Sequence, residues 1–374
     1  MKHEFAFINL FRALAAFWVL AAHCMIWGGW YGLPLPSAKY AVDLFMLVSG
    51  FLMAANAASR WEREPLTDAR SRLRFWTRRF FRIAPAYYLA LLVVIVGADF
   101  FLSGKAELQA LNRAQWPIGG PYDPQAIRFT VDNLLMHASF LFGLHPAYAS
   151  ATSLPDWSIG LEMQFYAAFP LLYLLLHKRG PVALVVAGFA VFALGRLVNV
   201  FVAYPEPSLL AFKLQYFIGG MLLYRTLAGG SLGSRVWMMA GALLLVSLEG
   251  IVAPALLLTM FALGALELAD ETPARLQAFI RSRVVTFASD VSYSVYLFQG
   301  LAVGTFGVLC LHSPWLRSLS LLERTGVLFA FVLVVAYAVA YAVYRCVELP
   351  GIALGKRLLA RSGQHVVNLE QVDI

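Results

Sequence analysis

Residues 5–27 read FAFINLFRALAAFWVLAAHCMIW, an almost continuous apolar run that indicates the structural class of the whole chain. A bilayer core about 30 Å thick needs about 20 apolar residues of helix, so this run is long enough to cross it. Nine further windows of similar character predict an all-α, polytopic membrane protein with about ten transmembrane helices. The nine windows are 40–58, 80–98, 158–177, 181–203, 209–227, 235–249, 251–269, 288–311 and 326–346.

The composition agrees with a membrane protein and excludes several other classes. Of the 374 residues, 60% are hydrophobic and only 13% are charged, whereas about 25% are charged in soluble domains. These values exclude a soluble enzyme, a disordered protein and a nucleic-acid-binding module, so we expect no nucleic acid among the partners. Cys24, Cys310 and Cys346 lack the spacing of a disulfide framework or a metal site, and we expect no bound metal.

The distribution of Lys and Arg between the predicted loops indicates the orientation. Twenty of these residues fall in loops on the side of the termini and six on the other side, which places both termini in the cytoplasm. The stretch 131–144 is too short to span, so we expect a re-entrant or interfacial segment within an ordered outer cap, 99–156. We expect residues 1–350 to form the membrane domain and 351–374 a short cytoplasmic tail. Arg12 interrupts the first apolar run, which argues against a cleaved signal peptide.

Ionisable residues inside the predicted spans indicate a functional site, because a charge within a bilayer is costly. Arg12 and His23 are 11 residues apart, close to three helical turns, so both project from one face about 16 Å apart. Asp43 lies at the depth of His23 in the next span, and we expect it to accept the imidazole N–H and orient the ring. Alternatively, Arg12 reaches lipid headgroups, His23 is a hydrogen-bonded bundle histidine, and Asp43 caps its helix.

Further polar residues fall in later spans. Glu162 lies deeper than a helix cap would, and Arg196 and Lys213 lie in the outer halves of the two spans that follow. Together with His23 and Asp43, they predict one polar chamber that is open to the exterior. Arg196 and Lys213 are the candidates for substrate binding in this chamber.

Arg79 and Arg82 lie at the start of the third span, at i and i+3 on one helix face. Paired guanidiniums bind phosphate bidentately, and neighbouring aromatic rings could stack on a base. An anchor that follows the positive-inside rule is the plainer interpretation of the arginines that precede the pair. The pattern favours a cytoplasmic ligand with a phosphate-rich head and a long thin arm.

Seven segments of the chain, in order, resemble the acyltransferase 3 family of bacterial integral-membrane O-acyltransferases. The first contains the family's Arg-x10-His motif and the third its Arg-x-x-Arg motif. The segments are INLFRALAAFWVLAAH (8–23), AVDLFMLVSGFL (41–52), RRFFRIAPAYYLAL (78–91), WSIGLEMQFYAAFPLL (157–172), QYFIGGMLL (215–223), VSYSVYLFQ (291–299) and VELP (347–350).

The resemblance implies a ten-helix enzyme of the bacterial inner membrane. Such an enzyme takes an acyl group, usually acetyl, from cytoplasmic acyl-coenzyme A and delivers it to a hydroxyl of a cell-surface glycan or lipid-linked saccharide. Its expected partners are therefore acyl-CoA, the saccharide acceptor and membrane lipids. Relatives sometimes carry an appended soluble esterase-like domain, and the roughly 28 residues after the last predicted span are too few for one.

The resemblance also implies roles for individual residues. The catalytic candidates are His23, Asp43 and Glu162, and the acyl-CoA-binding candidates are Arg12, Arg79 and Arg82. Gln299 departs from the family pattern, because relatives often have His at this position. An amide can donate and accept hydrogen bonds, so we expect Gln299 to position substrate.

On this interpretation His23 is the general base on the acceptor hydroxyl, which attacks the thioester carbonyl. A rival interpretation is a proton-coupled transporter or exporter, in which His23, Asp43 and Glu162 form a proton relay. That hypothesis gives no reason for the Arg79 and Arg82 pair. A third is a non-catalytic scaffold for polysaccharide assembly, which should tolerate the loss of His23.

Overall fold

The computed structural model describes residues 5–30, 37–114, 127 and 129–370, with side chains up to residue 360. Every regular element in this part of the chain is helical, which confirms the all-α class. The helices are α1 (Ala6–Gly28), α2 (Ala38–Arg60), α3 (Ala69–Val96), α4 (Ala98–Leu111), α5 (Val131–Ala138), α6 (Trp157–Phe201), α7 (Leu210–Leu227), α8 (Leu232–Val246), α9 (Val252–Leu268), α10 (Ala274–Ile280), α11 (Arg283–Asp290), α12 (Ser292–His312), α13 (Pro314–Ser318), α14 (Leu321–Val343) and α15 (Leu349–Glu370). Seven helical segments in the described ranges are long and apolar enough to cross a membrane.

Each of the ten predicted spans coincides with a helix or with half of one. Helix α6 contains two of them, because Gly180, at φ +84°, interrupts the helical path directly before Pro181. Helices α7 and α9 are shorter and coincide with the predicted spans 209–227 and 251–269. The number of crossings and the cytoplasmic location of the termini stay predictions.

The outer cap contains more helix than its sequence indicates. Residues 131–144 form the short helix α5 and a 3-10 turn, Phe142–Leu144, both too short to span. Helix α4 is not predicted by the sequence pattern, because Lys105 and Glu107 interrupt its apolar face. Both side chains are nevertheless buried, so α4 packs against the bundle rather than lying free at its surface.

Helices α2 and α7 form the most extensive helix pair, and glycine makes their approach possible. A methyl group on Gly50 would overlap the Phe217 carbonyl oxygen, and one on Gly220 would overlap the carbonyl oxygen of Leu47. Small residues let transmembrane helices pack backbone against backbone in this way. The backbones of α2 and α7 therefore approach closely at Gly50 and Gly220.

A second glycine contact sets α4 across α12. A methyl group on Gly104 would overlap the Gly304 carbonyl oxygen, and one on Gly307 would overlap the carbonyl oxygen of Gly104. This crossing brings the residue after Gly104, Lys105, into the bundle.

Loop ends that are predicted to share a side of the membrane are neighbours in the fold. On the side of the termini, Glu267 at the end of α9 accepts the backbone N–H of Ala6 at 2.9 Å. On the other side, Asn112 donates to the Trp27 carbonyl oxygen at 2.9 Å, and Arg324 donates to Asn112 at 2.8 Å. These contacts agree with the directions that the predicted topology gives to α1, α9 and α14.

We expect the substitution Gly220→Ala to destabilise the protein, because the added methyl group cannot fit against Leu47 without moving α2 from α7. Overpacking of this kind costs about 1–3 kcal/mol. Thermal unfolding in detergent should show a lower midpoint than the unchanged protein. The matched control is Gly233→Ala, where an added methyl group meets open space. Equal midpoints for the two variants would contradict the proposed packing of α2 on α7.

Candidate functional site

A cavity of about 330 Å³ lies between α1, α2, α3, α6, α7 and α12. On α2 its lining runs from Val42 to Met53, about 16 Å of helix. We call it the arginine cavity, after the charged residues that line it: Arg12, Arg79, Arg82 and Glu162.

Two of the arginines are held by partners near the start of α12 and the end of α14. Arg12 Nη2 donates to Ser292 Oγ at 3.3 Å. Arg82 Nη1 lies 3.2 Å from Glu348 Oε2, and the Glu348 side chain is fully buried. These contacts place both guanidiniums at the lining, where they can contact a ligand.

Glu348 reaches Arg82 because of a local change in helix type. Residues 344–348 form a π-helical turn between α14 and α15, and π turns are frequent at functional sites. Ser294 also donates a hydrogen bond to Glu348. Our sequence reasoning assigned no role to Glu348, although it lies in the segment VELP (347–350), where a carboxylate follows an apolar span.

Glu162 also belongs to the arginine cavity rather than to an outer chamber. Ser49 Oγ donates to its carboxylate at 2.8 Å, and the Tyr166 hydroxyl donates to the same oxygen. The Arg79 guanidinium lies 6.0 Å from the centre of the Tyr166 ring, within the range of a cation–π contact. The structure therefore brings together four of the predicted site residues, from the three helices α1, α3 and α6.

His23 does not line this cavity. Its side chain lies beside Gln299 and within electrostatic range of Lys105. Gln299 is fully buried, and neither its Nε2 nor its Oε1 makes a hydrogen bond of good geometry. It follows Tyr296, a lining residue at the outer end of the cavity, by about one helical turn. His23 and Gln299 thus lie just beyond that end, and Gln299 contacts the histidine rather than an open chamber.

Lys105 is the functional candidate that sequence reasoning missed, because the pattern placed it in the outer cap rather than in a span. The residue is 3% exposed. Its Nζ donates to the Ser153 carbonyl oxygen at 2.7 Å and lies 5.5 Å from the centre of the Trp27 ring. Burial lowers the pKa of Lys105 to about 7, although the negative charge of Asp156 acts in the opposite direction. The feature of the sequence that could have indicated the burial of Lys105 is the preceding Gly104, because glycine permits a close helix contact.

Asp43 does not contact His23, so the predicted orienting role of this carboxylate is wrong. Lys213 Nζ lies 3.1 Å from Asp43 Oδ1 and 2.8 Å from Glu249 Oε2. Tyr216 donates a further hydrogen bond to Glu249 at 3.1 Å. Lys213 is 3% exposed and lies between two carboxylates. The lysine that the sequence suggests for substrate binding is therefore already paired.

The reason is the helical register of α2. Asp43 shares a face with Leu47 and Gly50, at i+4 and i+7, and this face packs against α7. His23 lies on the part of α1 that faces α4 and α12. Asp43 and His23 are at the same predicted depth in the membrane, but their side chains face different helices. The prediction of a single outer polar chamber, which rested on depth alone, is therefore wrong.

Arg196 lies apart from the arginine cavity and from His23. It is exposed and lines a smaller cavity of about 190 Å³ together with Asn199, Tyr204 and Glu249. This cavity is at the outer end of α6, which agrees with the depth expected from the sequence. A role for Arg196 in substrate binding stays a prediction.

Comparison with known proteins supports the assignment suggested by the motifs. A family model described as an acyltransferase domain matches residues 5–345. The peptidoglycan O-acetyltransferase OatA of Listeria monocytogenes is 30% identical over 179 residues, which are 46% of this chain and 24% of that protein. The acyltransferase MdmB of Streptomyces mycarofaciens is 32% identical over 138 residues, 37% of this chain and 29% of that protein.

A third relative, the putative membrane-bound transacylase BcsY of Komagataeibacter xylinus, is 28% identical over 186 residues. These are 46% of this chain and 39% of that protein. The matched regions thus span less than half of each relative's length. No solved structure matches the chain.

We expect Lys213→Met to destabilise the protein strongly, because it leaves Asp43 as a buried carboxylate without its cation. Removing one partner of a buried pair costs about 3–5 kcal/mol. The double substitution Asp43→Asn with Lys213→Met should recover much of this loss. Unfolding midpoints in detergent measure both effects, and a single variant as stable as the unchanged protein would contradict the ion pair.

Lys105 should make stability depend on pH. Its pKa in the folded protein is lowered to about 7, whereas an unfolded lysine titrates near 10.4. Between these values the unfolded chain binds the additional proton, so stability rises with pH from about 7 to about 10. Lys105→Met should lack this rise, whereas the exposed control Lys39→Met should keep it. Unfolding midpoints at pH 7 and pH 9 test the difference, and identical slopes for the two variants would contradict the burial of Lys105.

Proposed function

The chain belongs to the acyltransferase 3 family, and from this premise we propose that it moves an acyl group from cytoplasmic acyl-CoA to a saccharide hydroxyl. Acetyl is the expected acyl group. The acceptor is a cell-surface glycan or lipid-linked saccharide at the outer face of a bacterial inner membrane. The relative from Listeria, named as a peptidoglycan O-acetyltransferase, supports an acceptor of this chemistry.

The observation that carries the proposal is the convergence of Arg12, Arg79 and Arg82 on one cavity. Guanidiniums form strong charge-assisted hydrogen bonds to phosphate, and coenzyme A carries phosphates at one end of a long thiol-bearing arm. The arginines lie toward the side of the termini, and the cavity continues outward along α2. The arm can therefore carry the thioester toward His23 while the phosphates stay with the arginines.

His23 is the proposed general base. Its imidazole takes the proton of the acceptor hydroxyl as that oxygen attacks the thioester carbonyl carbon. A carbon–oxygen bond forms, the carbon–sulfur bond breaks, and the departing thiolate takes the proton back from the imidazolium. Gln299 lies beside the ring, so its proposed role is to orient His23 rather than to bind substrate directly.

The acidic residues take different roles in this proposal. Glu162 is hydrogen-bonded to Ser49 and Tyr166 in the arginine cavity. Its proposed role is to balance and position the guanidiniums of Arg12 and Arg79. Asp43 stabilises the contact between α2 and α7 through Lys213. The exposed Arg196 is a candidate contact for an anionic part of the acceptor.

The proton-relay hypothesis receives no support from the contacts in the described part of the chain. His23 lies beside Gln299, Asp43 pairs with Lys213, and Glu162 is bonded to Ser49 and Tyr166. These are three separate groups rather than one connected path. A transporter would nevertheless be recognised by movement of a saccharide without consumption of acyl-CoA.

The proposal is tested by the transfer of label from radioactive acetyl-CoA to the saccharide fraction of membranes that contain the protein. His23→Ala should lower the rate about 10²–10⁴-fold, because it removes a general base. Arg79→Ala should raise the KM for acetyl-CoA about 10–100-fold, since it removes a charge-assisted hydrogen bond. The matched control is Arg74→Ala on the same helix, where the guanidinium pairs with Glu64 outside the cavity.

Retention of full transfer by a folded His23→Ala variant would contradict the mechanism. Label that enters no hydroxyl-bearing product, in membranes where the unchanged protein is folded, would contradict the proposed function itself.

A further inference from the structure

The arginine cavity has two chemically different halves. Its charged residues lie toward the side of the termini, where Arg12 contacts Ser292 at the start of α12. The outer half is formed mainly by apolar and aromatic side chains. These are Val42, Phe45 and Met46 on α2 and Tyr296 on α12, with Ser158 at the start of α6. Among the lining residues that the structure describes, no Lys, Arg or His lies in this outer half.

Phe45 and Tyr296 form an edge-to-face pair in the outer half. Their ring centres are 6.0 Å apart and their planes are inclined by 70°. The Tyr296 hydroxyl donates to the Pro155 carbonyl oxygen and lies 2.8 Å from Ser158 Oγ. Because the ring is packed on one side and its hydroxyl is bonded at the other, Tyr296 cannot swing aside without breaking these contacts.

The pair lies toward the end of the cavity that is nearer His23. Tyr296 lies about one helical turn from Gln299, which is beside His23. A thioester whose phosphates rest on the arginines would therefore place its acyl group against Phe45 and Tyr296 when its carbonyl carbon approaches the histidine.

We infer that Phe45 and Tyr296 determine donor specificity, restricting the enzyme to short, uncharged acyl groups such as acetyl. This inference rests on the proposed function. Each methylene that a rigid apolar pocket cannot accommodate changes the specificity constant about 10–200-fold. A carboxylate at the end of the acyl group would be desolvated in a half of the cavity whose described lining has no Lys, Arg or His, so succinyl is excluded by charge as well as by length.

The test compares the binding of acetyl-CoA, butyryl-CoA and succinyl-CoA to the purified protein by titration calorimetry, and the transfer of each labelled acyl group in membranes. Butyryl and succinyl have equal chain length, so their comparison isolates the effect of charge. The unchanged protein should use butyryl-CoA at least about 100-fold less efficiently than acetyl-CoA. Succinyl-CoA should be used less efficiently still.

Phe45→Ala should enlarge the outer half and bring butyryl-CoA to within about tenfold of acetyl-CoA, while succinyl-CoA stays excluded. Phe45→Leu is the milder variant if the alanine substitution does not fold. The matched control is Phe17→Ala, an aromatic residue on α1 that is 41% exposed, which should leave donor selectivity unchanged.

The outcomes separate this inference from the proposed function. Equal use of acetyl-CoA and butyryl-CoA by the unchanged protein would overturn the inference and leave the acyltransferase function intact. An unaltered preference in a folded Phe45→Ala variant would also overturn it. Selective binding of acetyl-CoA with no transfer to any hydroxyl would support donor selection by Phe45 and Tyr296 but contradict the proposed function.

Discussion

The cost of placing charge in a low-dielectric interior governs the structure. A buried ion in this bundle needs an oppositely charged partner or a strong hydrogen bond, and each such contact joins separate parts of the chain. Arg82 with Glu348 joins α3 to the turn after α14, and Lys213 with Asp43 joins α7 to α2. Lys105 joins α4 to the segment that precedes α6 through the Ser153 carbonyl oxygen. The polar contacts therefore define which helices are neighbours as well as which residues are available for chemistry.

Glycine contacts complement these polar contacts. Because lipid tails are as apolar as leucine, transmembrane helices associate through close packing rather than through hydrophobic burial alone. Gly50 and Gly220 bring α2 and α7 together, and the contact between Gly104 and Gly304 sets α4 across α12. The first contact turns Asp43 toward Lys213, and the second brings Lys105 within electrostatic range of His23. The close glycine contacts and the contacts of the buried charged residues thus lie on the same faces of α2 and α4.

The residues proposed to bind the donor and the proposed general base lie in separate places. Three arginines and Glu162 occupy one cavity, and His23 lies just beyond its outer end with Gln299. An aromatic pair, Phe45 and Tyr296, lines the apolar half of the cavity. Such a division suits the proposed transfer, in which a charged head stays on one side of the membrane while a small acyl group is presented near the other.

The amino-acid sequence by itself determined the all-α membrane class, the position of each predicted span and the motifs that carry the family resemblance. It also identified the arginines of the cavity, because hydrophobicity and charge act residue by residue along a helix whose rise and periodicity are constant. Only the tertiary structure decided that Asp43 pairs with Lys213, that Glu348 holds Arg82, and that Lys105 is buried within electrostatic range of His23. Those pairings depend on which helix faces meet, and this follows from glycine contacts and a π-helical turn that act between distant segments and leave no periodic signal in the sequence.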